Sequence, residues 1–99
     1  MTALFPLNHT FILAENASAT PTFDVVWPGG MGMFNGEATF GGGTVTLQVM
    51  SPSGTWMAVG SDTTLSAAGA AGFLLPAGAR IRVAIATATA VYAYATTMP

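Results

Sequence analysis

The chain of 99 residues fits a single domain, and a 52% hydrophobic content with only 6% charged residues leaves little solubilising charge around a thin core. Two arginines, no lysine and a net charge of −2 give counterion-driven nucleic-acid binding almost nothing to work with. Without cysteine, disulfides, thiolate metal centres and thiol catalysis are excluded.

No apolar run approaches the length of a membrane span, so no membrane partner is expected. The apolar stretch at residues 3–14 has no basic flank and is interrupted by Pro6, Asn8 and His9, so no export signal is expected either. A surface this poor in charge must be covered by Thr, Ser, Asn and Gly or by neighbouring subunits. Both are expected together, which makes the chain a homo-oligomer.

From the N-terminus, residues 1–21 read as an arm, with Phe5, Phe11, Ile12 and Leu13 as apolar anchors among turn-formers and a short strand at residues 10–14. The arm can pair on its own sheet or on a neighbour's. Residues 22–99 read as a β-domain. A strand is expected at residues 22–27, then a hairpin of residues 31–34 and 37–40 about Asn35-Gly36, the strongest two-residue turn signal.

Gly41 to Gly43 then lead into residues 44–50, where Val45, Leu47 and Val49 alternate with Thr44, Thr46, Gln48 and Met50. That is the period-2 pattern of a strand with one buried face. Ser51-Pro52-Ser53-Gly54 turns the chain into residues 55–59, and Gly60-Ser61-Asp62 turns it again through an Asx-type bond. Residues 67–71 form a small-residue loop, followed by strands at 72–75, 80–86 and 90–96. About eight or nine short strands at this spacing specify an all-β fold: an antiparallel β-sandwich, jelly-roll-like, or a small barrel.

Phe40-Gly41-Gly42-Gly43-Thr44 begins like a phosphate loop but lacks the lysine and feeds a strand instead of a helix. Gly29-Gly30-Met31-Gly32 fails as a dinucleotide fingerprint for the same reason. A catalytic triad would have to use His9, the single histidine, which no nucleophile elbow accompanies.

Asp24, Glu37 and Asp62 offer a carboxylate pair only if a cleft joins them, and no Asp-x-Asp pattern suggests a metal. No enzyme activity, cofactor or metal is expected. Arg80 and Arg82 share the outer face of one strand, either solvated or bridging to an acidic residue of another subunit. Tyr92 and Tyr94 face away from Val91, Ala93 and Ala95, so one set packs in the core and the other can meet a partner. Met31, Met33 and Phe34 are the best exposed apolar candidates for an interface, with plain sandwich core as the equal alternative.

The order of "FDVVW", "ATFGGGTVTLQV", "SPSGTW", "TTLSAAGAAGFLLPAGARIRV" and "ATAVYAYATTMP" resembles small proteins encoded among the structural genes of tailed bacteriophages, over residues 22–99. The resemblance implies an all-β virion protein, and within that group a capsid decoration (cement) protein. Such a subunit stabilises the head shell as a homo-oligomer, a homotrimer in the favoured form, and its partners are other copies of itself and the major capsid protein. It would reside on the phage particle after synthesis in the host cytoplasm. The alternative is a receptor- or carbohydrate-binding module of a tail or fibre, using Trp27, Trp56, Tyr92 and Tyr94.

Overall fold

The structure, a computed structural model, describes residues 9–98. They form β1 (Thr10–Ala17), β2 (Val25–Val26), β3 (Gly30–Thr39), β4 (Thr44–Met50), β5 (Trp56–Ala58), β6 (Thr64–Leu65), β7 (Gly69–Leu75), β8 (Arg80–Ala86) and β9 (Thr89–Thr97). Every ladder is antiparallel. The first sheet has the order β1-β9-β3-β7, and the second β2-β8-β4-β5, with β6 also pairing β4.

Followed in sequence, the strands make one ribbon folded on itself: β1 pairs β9, β2 pairs β8, β3 pairs β7, and β4 pairs β5 and β6. Wrapping that ribbon into two facing sheets produces a jelly roll, the form the expected sandwich takes.

The alternation read from the sequence decides which side chains meet between the sheets. Val45 and Leu47 of β4 and Ile81 and Val83 of β8 face Phe34, Phe73, Val91, Ala93 and Ala95 of the first sheet, all buried. Each large apolar side chain so buried contributes about 1.5–3 kcal/mol before the entropy of ordering is subtracted. β1 joins this core through a bulge. Its register slips between Ile12 and Ala14 against β9, and the consecutive residues Leu13 and Ala14 are both buried. The described part of the expected arm is therefore an edge strand of its own sheet.

Trp27 is fully buried where the chain leaves β2 for β3. Its indole packs 4.8 Å from the Phe73 ring and 5.7 Å from that of Phe11. The Nε1–H donates to the Gly30 carbonyl at 3.1 Å. Only a glycine at position 32 leaves room for it, because a Cβ there would overlap the indole and Phe73 rings.

The structure changes four local expectations. Asn35-Gly36 is no turn: neither residue has positive φ, and β3 runs straight through both while pairing β9 and β7. Gly36 serves packing instead, with Leu65 against the position its Cβ would take. The strand expected at residues 22–27 shrinks to Val25–Val26, although Trp27 extends the contact through backbone bonds to Ala79 and Gly78. The small-residue loop at 67–71 is already strand from Gly69, because pairing with Gly36, Asn35 and Phe34 outweighs weak local propensity. At residues 60–63 the turn is closed by the buried Thr63 hydroxyl, 3.0 Å from the Gly60 carbonyl and 3.1 Å from its N–H, not by Asp62.

The glycine run after β3 is a corner between the sheets. Gly41 and Gly42 hold φ of 55° and 86°, and the Gly43 N–H donates to the Phe40 carbonyl at 2.7 Å. A Cβ on Gly43 would collide with the Ala86 carbonyl and the Ala88 N–H, so this glycine admits the β8–β9 connection of the same chain.

Steric space at two glycines predicts opposite outcomes for the same substitution. Gly32→Ala forces the Trp27 and Phe73 rings apart and should lower unfolding stability by about 1–3 kcal/mol. Gly60→Ala, at an extended φ with no atom near the new methyl, should stay within about 0.5 kcal/mol. Urea titrations followed by tryptophan fluorescence measure both.

Candidate functional site

The outer face of the first sheet is where exposed apolar and aromatic side chains gather. Because Gly32, Phe34 and Gly36 point inward, Met31, Met33, Asn35 and Glu37 of β3 point outward. The same alternation turns out Tyr92, Tyr94 and Thr96 of β9, Ala70, Gly72 and Leu74 of β7, and Thr10 and Ile12 of β1.

Register arranges these in rows. Met31 lies opposite Leu74, and the Met98 N–H donates to the Met31 carbonyl at 3.0 Å, so Met98, Met31 and Leu74 share one end. Their exposures of 42%, 53% and 69% make this the most open apolar cluster of the face. The next row sets Thr10 beside Thr96, with hydroxyls 3.2 Å apart, and Met33 beside Gly72. Then come Ile12, Tyr94, Asn35 and Ala70, and last Tyr92 opposite Glu37.

The face is thus zoned. Its Met31 end is apolar and lies beside His9, whose carbonyl accepts from the Thr97 N–H at 2.9 Å. Six residues along β3, about 20 Å away, the Glu37 end is aromatic and polar. There Asn35, Gly36, Glu37, Tyr92, Tyr94 and residues 68–70 line an open cavity of about 430 Å³. Across β3 from the tyrosines, Ala68, Gly69 and Ala70 present nothing taller than a methyl group beside Asn35 and Gly36. No hydrogen bond among the described residues engages the side chains of Asn35, Glu37, Tyr92 or Tyr94.

The residues singled out in the sequence divide among several places. Phe5 lies outside the described residues. Ile12, Met31, Met33, Tyr92 and Tyr94 share the outer face just described. Leu13 and Phe34 are buried in the core and leave the surface set, Leu13 because alternation from the exposed Ile12 turns it inward and Phe34 because β3 does not turn at Asn35. Phe11 is half-buried, between His9 and Trp27.

Arg80 and Arg82 stand on the other sheet, and both find partners within the chain. Arg80 pairs with Asp24 at 2.6 Å, in place of the acidic residue of another subunit. Arg82 Nε donates to Gln48 Oε1 at 2.8 Å, with its guanidinium 4.5 Å above the Trp56 ring. Trp27, buried, and Trp56, under Arg82, drop out of a common aromatic platform with Tyr92 and Tyr94. Asp24 precedes β2, Glu37 lies on β3 and Asp62 in the turn at residues 60–63, and among the described residues no group of three or more His, Asp or Glu could hold a metal ion.

Sequence reasoning missed Leu74, Met98, Asn35 and the low wall at residues 68–70. In Phe73-Leu74-Leu75 the alternation is ambiguous, and only the pairing with β3 shows that Leu74 is the outward residue. Asn35 was hidden by its turn-forming neighbour. Removing the guanidinium with Arg82→Ala should expose the Trp56 ring and shift its fluorescence to longer wavelength. Stability should fall by less than about 1 kcal/mol, the scale of one exposed cation–π contact.

No protein-family model, no curated protein and no solved structure matches this chain.

Proposed function

We propose that this protein is a structural component of a bacteriophage virion, a decoration protein that binds and stabilises the head shell as a homo-oligomer, a trimer in the favoured form. The observation that carries the reading is the apolar end of the first sheet, where Met31, Leu74 and Met98 stand exposed in a chain with very few charges. A monomer gains nothing from displaying such a patch, whereas a subunit bound to a shell removes it from water. His9, the first described residue, lies beside the same patch, its carbonyl accepting from the Thr97 N–H, and an N-terminal segment carrying Leu4, Phe5 and Leu7 is proposed to add apolar contact to the shell. The major capsid protein is the partner for this end, and neighbouring copies cover further uncharged surface.

Binding of purified protein to undecorated heads of the phage that encodes it tests the reading. Leu74→Glu and Met31→Glu should each weaken attachment at least tenfold while leaving the thermal unfolding midpoint unchanged, because both side chains are already in water. Attachment that survives both substitutions together, or that survives deletion of residues 1–8, would remove the apolar end or the N-terminal segment from the contact. Sedimentation velocity should give a species well above the 10.0 kDa of one chain, and a stable monomer would count against the homo-oligomer.

A further inference from the structure

We propose that the open cavity at the Glu37 end of the first sheet is a binding site for neutral saccharides. It is separate from the apolar end offered to the shell, and it stands whether or not that contact exists.

β3 runs between β9 and β7, so its side chains form a floor between two sides, and these three parts define the chemistry. On β9, Tyr92 and Tyr94 are two residues apart on one face, so their rings stand about 7 Å from each other along the strand. On β3, Glu37 lies directly opposite Tyr92 and Asn35 directly opposite Tyr94. On the third side Ala68, Gly69 and Ala70 form a low rim that keeps the cavity open. The tyrosines offer flat apolar rings with a hydroxyl at the tip. The Asn35 amide offers two donors and an acceptor, and the Glu37 carboxylate accepts. With none of these groups bonded to another described residue, their capacity is left to water or a ligand.

The ligand that fits must combine a flat C–H surface with several hydroxyls, which is the character of a pyranose ring. One ring face lies on a tyrosine while the equatorial hydroxyls reach Asn35 and Glu37. The volume of about 430 Å³ falls within the range of small-molecule sites. Open walls also suit a site that grips one segment of a longer chain.

Other ligand classes fit less well. Phosphates, sulfates and acidic sugars meet a carboxylate with no cationic side chain in the lining, since Arg80 and Arg82 stand on the opposite sheet. A fatty chain would leave Asn35 and Glu37 desolvated without partners. A quaternary ammonium prefers aromatic faces around it, and here both rings stand on one wall.

The test uses the full chain on an array of short oligomers of glucose, galactose and N-acetylglucosamine, with sialylated and sulfated sugars and choline as comparators, followed by titration calorimetry on the best binder. A neutral oligosaccharide should bind. Tyr94→Ala, Tyr92→Ala and Asn35→Ala should each weaken binding at least tenfold, and Ala70→Arg should block it by filling the cavity. Leu74→Glu, at the far end, should leave saccharide affinity unchanged, which separates this site from shell attachment. Circular dichroism melts confirm that each variant is folded. No binding by any neutral sugar at millimolar concentration overturns the proposal. So does saccharide binding indifferent to Tyr92, Tyr94 and Asn35, and so does preference for choline or an acidic sugar.

Discussion

The contact on which the two sheets depend is the indole of Trp27 lying on the bare backbone of Gly32. Trp27 belongs to the strand end that closes the second sheet, through its backbone bonds to Gly78 and Ala79, while its ring packs on Gly32 and Phe73 of the first sheet. One residue therefore fixes the spacing and the angle of the corner at which the chain crosses from one sheet to the other. The absence of a side chain at position 32 is as necessary to this as the presence of the largest one at position 27. The direction of β3 follows from that corner, and with it the face on which Met31, Asn35 and Glu37 are displayed.

How far the sequence carried depended on what each signal reports. Period-2 alternation in residues 44–50, 80–86 and 90–96 reports burial on one face, and burial is what the fold enforces, so those strands stand where expected. Glycine is ambiguous, because it is selected both for unusual φ and for empty space. Gly41 and Gly42 are of the first kind, while Gly32, Gly36 and Gly43 are of the second. Reading Gly36 as a turn residue cut β3 in two and hid Asn35. The glycine run before β4 resembled a phosphate loop for the same reason, and the neighbour its last glycine admits is the chain's own β8–β9 connection. The cavity was not legible, because it depends on low side chains of β7 standing across from Tyr92 and Tyr94, a relation set by pairing over distant sequence.

Zoning of the outer face reconciles features that would conflict on a uniform surface. Exposed methionine and leucine have the chemistry of a dry contact, whereas paired tyrosines with an amide and a carboxylate have that of a wet one. About 20 Å of strand keeps the two apart, enough for one end to be covered while the other stays in water. The second sheet differs again: its arginines are spent within the chain on Asp24, Gln48 and Trp56, which stiffens that face and leaves less charge free for partners.

The ribbon topology also governs when the protein can fold. β9, the last described strand, lies between β1 and β3 in the middle of the first sheet, and bonds such as Thr10 to Thr96 join positions 86 residues apart. During synthesis β1 has no partner until β9 has left the ribosome, and the second sheet likewise waits for β8 to join β2 to β4. Closure is thus a late, non-local event of the kind that folds slowly. Until then the apolar strands are exposed with few charges to hold neighbouring chains apart, so nascent copies crowded on one message are a hazard. A copy is finished only with the insertion of its ninth strand, which completes the first sheet.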